Sequence, residues 1–298
     1  MADGVFAIAA PKGSRRGAWA IPLALAAPAT ALYILLFILP FGNLLLASFY
    51  DYSRLTGIIK TFTLKNYIRF WTDPFYLDVM LRTFRISIVA TLVTLGVGYP
   101  VALFMSRTSA RLRGIITILV LSPLLISVVV RSFGWMIVLG PNGLLDSTMK
   151  AIGFESGNIM YTEAAVIVGL VNVFLPYLIL SVVASLQTID PAVHLAASSL
   201  GAGRLTVFWR ITFPLSLPGV IAGCLIVFCL ASSAFVTPAI LGGSSIKVLS
   251  VLTYREAMVL QNWPFAAAIA FSLLVVVLAI IGCQAWLLGH RQSGVPAH

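Results

Sequence analysis

Residue types that commonly carry catalysis or bind metals are few and scattered in this chain. The three cysteines, Cys224, Cys229 and Cys283, lie in apolar runs without the C-x-x-C spacing of a metal or redox site. His194 is distant in sequence from the other two histidines, which fall in the last nine residues. Neither H-E-x-x-H nor the phosphate-binding pattern G-x-x-x-x-G-K-[ST] occurs. We therefore expect no catalytic residue, no metal site and no ATP hydrolysis by this chain alone.

Several polar or aromatic side chains within apolar stretches could instead contact a solute that crosses a membrane. These candidate pathway residues are Arg131, Trp135, Asn172, Phe174, Phe235 and Thr237. For the uncharged members, packing between helices is the alternative and the commoner role of such residues. Asn172 is the strongest of them, because an amide buried in lipid needs a hydrogen-bonding partner.

Arg131 is the one charge inside a predicted membrane span. A charged side chain at the bilayer centre costs roughly 2.5–3.5 kcal/mol, so it suggests a function by default. Arg131 lies 18 residues after Arg113, which is roughly 27 Å along a helix and close to the far membrane surface. Two interpretations stay open: an anchor whose side chain snorkels to the interface, or a role in the pathway or in helix pairing.

The composition requires a membrane protein. Hydrophobic residues make up 60% of the chain and charged residues 9%, whereas a soluble domain has roughly 25% charged residues. The charges cluster between long uncharged stretches, which is the pattern of helices that cross a bilayer. The formal net charge of +10 comes from the flanks of these stretches, without the basic, aromatic-interleaved patch that nucleic acids require.

Six apolar windows are long enough to cross a hydrocarbon core of about 30 Å. They cover residues 19–49, 86–105, 115–139, 164–186, 217–241 and 265–288. The sequence predicts an all-α integral membrane domain over residues 19–289, with short tails at residues 1–18 and 290–298. Basic residues are nearly balanced between the two sets of loops, so charge counting leaves the orientation undecided.

A more polar segment, at about residues 187–216, separates the fourth and fifth windows. Asp190 followed by Pro191 is a helix-start signal, and Gly201 is a helix-stop signal, so we expect a short helix between them. The small residues between Leu195 and Leu200 would leave a face that another protein can approach closely. Pro214 is expected to end the next helix, and Pro218 to begin the fifth span. An ordinary interfacial connector is the alternative.

This segment, LAASSLGAGRLTVFWRITFPLSLPGV, resembles the cytoplasmic EAA loop of permease subunits in bacterial ATP-binding-cassette (ABC) importers. Ala196 and Ala197 match the two alanines of the pattern, Gly201 its glycine, and Ile211 and Pro214 its I-x-L-P. Leu195 stands where the family usually has glutamate, and Phe213 replaces the leucine. The residues that the resemblance assigns to ATPase coupling are Asp190, Pro191, Leu195, Ala196, Ala197, Gly201, Ala202, Arg204, Ile211 and Pro214.

The likeness extends over nearly the whole chain and is greatest to the B-type permeases of spermidine/putrescine importers. It rests on SPLLISVVVRSFGWMIVLGPNGLLDS, FLPYLILSVVASLQTIDPAV, AFVTPAILGG and QNWPFAAAIA. The resemblance implies the six-helix type I importer (MetI-like) fold in the bacterial inner membrane, with both termini cytoplasmic. It also implies two ATPase subunits that bind ATP and Mg²⁺, a second homologous permease, and a periplasmic or lipid-anchored solute-binding protein.

Alternative functions remain at this point. The same class of importer could carry another small organic solute, such as an amino-acid-like compound, an opine or a phosphonate. A secondary transporter working alone would need coupling charges in mid-membrane, for which the sequence offers Arg131 alone. An intramembrane enzyme would need facing catalytic groups, and the sequence offers none.

Overall fold

The computed structural model describes residues 20–152 and 159–292, which are predominantly helical. The tail at residues 1–18 and residues 293–298 lie outside the described residues. The helices are α1 (Ala20–Tyr33), α2 (Leu39–Ala47), α3 (Lys65–Thr72), α4 (Pro74–Arg107), α5 (Ala110–Leu121), α6 (Val128–Leu139), α7 (Leu144–Ala151), α8 (Glu163–Gln187), α9 (Pro191–Ser199), α10 (Arg204–Val207), α11 (Phe213–Ser233), α12 (Leu249–Tyr254) and α13 (Trp263–Gln292). A two-stranded antiparallel hairpin, β1 (Tyr50–Ser53) and β2 (Gly57–Phe62), follows α2.

Within the described ranges, six helical segments are long and apolar enough to cross a membrane. They are Leu25–Ala47, Pro74–Arg107, Val128–Ala151, Glu163–Gln187, Arg204–Ser233 and Trp263–Gln284. The expected six-helix membrane protein is thereby confirmed. The second span is longer than its apolar window, because Asp73 caps α4 well before that window begins by accepting a hydrogen bond from the Phe75 amide at 2.9 Å.

The third span differs from the continuous helix expected over residues 115–139. Helix α5 ends at Leu121, a 3₁₀ turn covers Ser122–Leu125, and α6 begins at Val128. Pro123 has no amide hydrogen to continue the α-helical ladder. The Ser127 hydroxyl then caps α6 by accepting a hydrogen bond from the Val129 amide at 3.3 Å. The apolar character of residues 115–139 therefore gave no indication of this break.

The fifth span also differs, because Pro214 does not end a helix as expected. Helix α10, a π-helical turn at Phe208–Thr212 and α11 run on without interruption, and Pro218 lies inside α11. The Phe213 amide bonds to the Phe208 carbonyl, five residues back. This wider turn comes immediately before the proline, and such local π adjustments are one way in which membrane helices accommodate prolines.

The fifth span also ends before residue 241, the last residue of its apolar window. Helix α11 stops at Ser233, and a separate π-helical turn covers Pro238–Gly242. Pro238 therefore begins this second element and lies outside α11. Pro176, in contrast, lies inside α8.

Helices α4, α8 and α11 pack together and contribute most of the main hydrophobic core. Helices α8 and α11 cross at close range, where Gly219 and Gly223 face Ser181 and Ser185. A Cβ added at Gly219 would overlap the Ser185 Cβ and lie 2.7 Å from the Ser181 carbonyl oxygen. The close approach lets the Ser181 hydroxyl donate to the Gly219 carbonyl at 3.0 Å. Small residues at such spacing are what permit membrane helices to approach this closely.

Helix α4 is joined to the same crossing by a buried polar contact. The hydroxyls of Tyr99 and Ser216 are 3.0 Å apart, and the two side chains are 7% and 0% exposed respectively. In an apolar core each hydroxyl needs such a partner. The three helices are thus held at one level of the bundle by small residues and by hydrogen bonds between them.

A second, smaller core lies at the end of the bundle opposite α9. It joins α3, the start of α4, α12 and the start of α13 through Phe70, Tyr76, Val79, Leu249, Leu252, Phe265 and Ile269. The β1–β2 hairpin belongs to this end, since the Tyr52 hydroxyl donates to the Leu260 carbonyl at 3.0 Å. The first span, in contrast, buries none of its apolar window in the described chain.

We predict that Gly219→Ala destabilises the folded protein, because the added methyl group has no space at the α8–α11 crossing. Overpacking of this kind typically costs about 1–3 kcal/mol. Gly96→Ala is the matched control, since Gly96 is an exposed helical glycine of α4 with nothing within 4 Å of an added Cβ. Thermal unfolding in detergent should show a lower midpoint for Gly219→Ala and an unchanged or higher midpoint for Gly96→Ala. Equal midpoints for the two variants would contradict the crossing described here.

Candidate functional site

Helix α9 begins at the predicted start signal. The Asp190 carboxylate accepts a hydrogen bond from the Ala192 amide at 2.8 Å, and Pro191 occupies the first helical position. The carboxylate satisfies one of the amides that a helix start leaves free, and proline has no amide to leave unpaired. The short helix predicted between Asp190 and Gly201 is confirmed, at Pro191–Ser199.

The end of α9 depends on Gly201. Its φ of +79° lies in the left-handed region, which glycine adopts without the clash of a Cβ atom. The Gly201 amide bonds to the Ser198 carbonyl at 3.0 Å and the Ala202 amide to the Ala197 carbonyl at 3.1 Å. This pair of bonds is the Schellman arrangement that closes a helix C-terminus. Both ends of α9 are therefore fixed by local chemistry.

Most of α9 projects away from the bundle. Leu195 is 69% exposed and Leu200 is 88% exposed, and Ala196 is exposed as well. Ala197, in contrast, is 8% exposed and faces the bundle. The small residues therefore do not share one face. Ala196 lies on the outward face of α9, whereas Ala197 packs against the bundle.

The remaining residues of the segment lead from α9 into the fifth span. Arg204 is exposed at the first position of α10, Ile211 is half-buried, and Pro214 is exposed in the first turn of α11. The α8–α11 crossing described above therefore anchors the chain on both sides of α9. The segment is a short capped helix held at the end of two closely packed spans.

A cavity of about 460 Å³ lies between α9 and the bundle. Its walls are the end of α4, the end of α8, the inner side of α9 and the π-helical turn before α11. Across it, the His194 Nε2 atom is 3.1 Å from the Thr212 hydroxyl. The sequence had shown His194 only as an isolated histidine, since its partner is 18 residues away on another helix.

Among the candidate pathway residues, Thr237 contacts α6 at the residue next to Arg131. Thr237 is 2% exposed, and its hydroxyl is 3.4 Å from that of Ser132, the neighbour of Arg131 on α6. The Nε and Nη1 atoms of Arg131 are buried and have no hydrogen-bond partner in the part of the chain described. A guanidinium group is costly to bury in an apolar region, so Arg131 remains a candidate pathway residue.

Asn172 lies beside the same region. It is half-buried on α8 and follows Gly169 by three residues, which places both on one helix face. Gly169 closely approaches Thr237, since an added Cβ would lie 2.6 Å from the Thr237 Cγ2 atom. Helices α6 and α8 and the turn after α11 therefore meet around these polar side chains.

The aromatic candidates are placed differently. Phe174 is 8% exposed within the main core, and Trp135 packs against that core. The ring of Phe235 lies 4.7 Å from the ring of Tyr254 on α12, between centroids. For these residues the contacts are those of helix packing, the alternative raised from the sequence.

Ion pairs fix the bundle at the end opposite α9. The Glu163 carboxylate at the start of α8 is hydrogen-bonded to Arg85 and lies 3.8 Å from the Arg82 Nε atom, both on α4. A carboxylate in the first helical turn also favours the α8 dipole. These contacts join α4 and α8 at their ends opposite α9.

Glu256 is the most deeply buried carboxylate at this end, with 6% of its surface exposed. Burial raises the pKa of its carboxyl group, and the nearby guanidinium groups of Arg69, Arg255 and Arg54 oppose that rise. Arg69 lies over the Phe265 ring, 4.5 Å from its centroid, and donates to the Tyr76 hydroxyl at 2.9 Å. Glu256 lies between the fifth and sixth apolar windows of the sequence, where burial could not be foreseen.

The α8–α11 crossing was also missed from the sequence. Its signal was present as G-V-I-A-G at residues 219–223, an instance of the G-x-x-x-G pattern in an apolar run. Ser181 and Ser185 repeat the four-residue spacing on α8. This spacing of small residues, and not the polar residues alone, identifies the pair of helices that carry α9.

Comparison with known proteins identifies the family. The family described as "Binding-protein-dependent transport system inner membrane component" matches residues 94–289, which is more than half of the chain and includes α9. The chain belongs to this family. It is an inner membrane component, which agrees with its six apolar spans.

Among its relatives, two spermidine/putrescine transport system permease proteins named PotB are similar over most of their lengths. The one from Escherichia coli is 32% identical over 247 residues, covering 82% of this chain and 90% of that protein. The one from Haemophilus influenzae is 33% identical over 221 residues, covering 74% and 77% respectively. The relatives of this family member are thus permease proteins.

The fold is shared with a solved transporter. A chain of a bacterial alginate ABC transporter, determined with an alginate pentasaccharide-bound periplasmic protein, matches 95% of this chain and 98% of its own, with a TM-score of 0.77 at 17% identity. The type I importer permease fold expected from the sequence is confirmed for this inner membrane component.

Proposed function

We propose that this family member is the permease subunit of an ATP-driven, binding-protein-dependent importer in the bacterial inner membrane. The observation that carries the proposal is α9, a helix capped at both ends that projects its outward face from two tightly packed spans. Such a helix offers a rigid contact for a separate subunit. By this assignment α9 and both chain termini are cytoplasmic, and the second core and Glu163 lie on the outer side.

The partners follow from the same assignment. Two ATPase subunits would bind ATP and Mg²⁺ and hydrolyse ATP, while this chain contributes no catalytic group. A second, homologous permease would complete the pathway, and a periplasmic or lipid-anchored solute-binding protein would dock at the outer end.

The coupling contact is expected to be largely apolar. Leu195 and Leu200 are both strongly exposed on α9, and Leu195 stands where related permeases carry a carboxylate. The cleft of the cognate ATPase should therefore receive leucine side chains at this contact. When ATP draws the two ATPases together, they move the two α9 helices of the permease pair and open the pathway to the outside.

Polyamines of the spermidine and putrescine type are the proposed solutes. Support comes from the two relatives named for these compounds, which are about one-third identical over most of this chain. An importer for another small organic solute is the second candidate, and Arg131 favours it because a cation near the pathway would repel a polyamine. In either case selectivity would rest mainly with the binding protein.

The decisive test is ATPase activity of the complete complex reconstituted in lipid vesicles. We expect the binding protein loaded with spermidine or putrescine to stimulate ATP hydrolysis above the level with unloaded binding protein, because ligand-bound partner favours the outward-open state. If the binding protein stimulated ATP hydrolysis only when loaded with a different solute, the polyamine assignment would be contradicted. Failure of any ATPase to associate with the chain would contradict the importer assignment itself.

Gly201→Val should uncouple ATP hydrolysis from uptake while the protein still inserts in the membrane. A left-handed conformation costs a residue with a Cβ about 1–2 kcal/mol, which changes a conformer ratio by roughly 5–30-fold. The end of α9 would then be displaced from its Schellman closure. The measurement is the number of solute molecules taken up per ATP hydrolysed in the same vesicles, which should fall in this variant.

Gly203→Ser is the matched control for this substitution. Gly203 precedes α10 with an ordinary φ of −67° and has nothing within 4 Å of an added Cβ. Serine is also a favoured residue at a helix start, so the control should transport normally. Normal transport by Gly201→Val would contradict the role given to the closure of α9.

A further inference from the structure

His194 and Thr212 form a polar connection between α9 and the base of the fifth span. The His194 Nε2 atom lies 3.1 Å from the Thr212 hydroxyl, and Thr212 is 2% exposed. The Thr212 hydroxyl is also 3.5 Å from the Val207 carbonyl, five residues back across the π-helical turn. The His194 and Thr212 atoms form a hydrogen bond in which the tautomer of His194 decides which of them donates.

This connection is distinctive within α9. Among the residues that the structure describes, the other side-chain hydrogen bonds of α9 stay within its own turns, such as Ser198 to the His194 carbonyl and Ser199 to the Leu195 carbonyl. The Asp190 carboxylate likewise caps α9 itself. In the described chain, His194 supplies the side-chain hydrogen bond from α9 to another helix.

Side-chain packing between α9 and the rest of the bundle is limited. The cavity of about 460 Å³ separates the inner side of α9 from the ends of α4 and α8, at Leu103, Arg107 and Leu186. On the inner side, Ala197 is the buried α9 residue. A displacement of α9 therefore reaches the fifth span through the His194–Thr212 bond and the short connection at residues 200–203.

The fifth span can transmit such a displacement along its length. Arg204–Ser233 is one uninterrupted helical segment, so its base and its far end move together. Thr212 lies seven residues before Gly219 in sequence, roughly 10 Å along the helix from the crossing with α8. A force applied at Thr212 would turn the helix about that crossing. Its far end leads to Thr237, which contacts α6 beside Arg131.

We propose that His194 is a positioning residue that transmits movement of α9 to the fifth span through Thr212. The proposal rests on the importer function given above, because it assumes that an ATPase moves α9. It assigns to His194 neither substrate contact nor catalysis. This role requires the hydrogen bond between His194 and Thr212 and depends much less on the bulk of the histidine side chain.

The test uses the complete reconstituted complex and measures solute molecules taken up per ATP hydrolysed. His194→Ala and Thr212→Val each remove the bond, and the valine keeps the size of threonine. We expect either variant to lower the ratio several-fold while binding of the ATPase persists. His194→Gln and Thr212→Ser keep a donor and a hydroxyl, so they should restore most of the ratio.

Two further variants sharpen the result. The double variant His194→Ala with Thr212→Val should be no worse than either single variant, because both remove the same bond. Thr117→Val is the control, since the Thr117 hydroxyl donates to the Arg113 carbonyl within α5, and it should leave the ratio unchanged.

An unchanged ratio in both His194→Ala and Thr212→Val would overturn the inference while leaving the importer function intact. So would a loss that glutamine and serine fail to restore, which would indicate general damage to the fold. If the unmodified complex showed no ATP-dependent uptake or bound no ATPase, the proposed function would fail first.

Discussion

The close approach of α8 and α11 is the constraint on which the rest of the structure depends. Within lipid, apolar helices gain little by associating unless their backbones come near enough for dispersion contacts and hydrogen bonds. Gly219 and Gly223 permit that distance, and Ser181 and Ser185 present small side chains to them. The Ser181 hydroxyl then reaches the Gly219 carbonyl. The arrangement leaves no space for a single additional methyl group at Gly219.

This crossing determines where α9 can be, because α8 leads into it and α11 follows it. Local chemistry completes α9: the Asp190 cap fixes its start, and the left-handed Gly201 fixes its end. The helix is therefore rigid without being buried, and its exposed leucines are free to contact a partner subunit. In the proposed importer, this helix acts mechanically, and ATP hydrolysis belongs to the partner ATPases.

Much of this organisation could be predicted from the sequence, for identifiable reasons. Span number follows from uncharged length, and the caps of α9 follow from Asp190, Pro191 and Gly201, whose effects are local. Interruptions were harder to foresee, because a π-helical turn allowed the chain to pass Pro214 as a continuous helix while Pro123 stopped one. Pairings between distant residues, such as that of Gly219 with Ser185, depend on which helices meet, and one sequence does not contain that information directly.

The central claim is that the α8–α11 crossing holds α9 in place. Its most direct test is the distance between spin labels at the exposed residues Ser198 on α9 and Ser109 after α4, in a chain whose native cysteines are replaced. We expect one narrow distance distribution in the parent protein, and a broadened or shifted distribution when Gly219→Ala is added. An identical narrow distribution in both proteins would show that α9 is positioned independently of the crossing, contrary to this account.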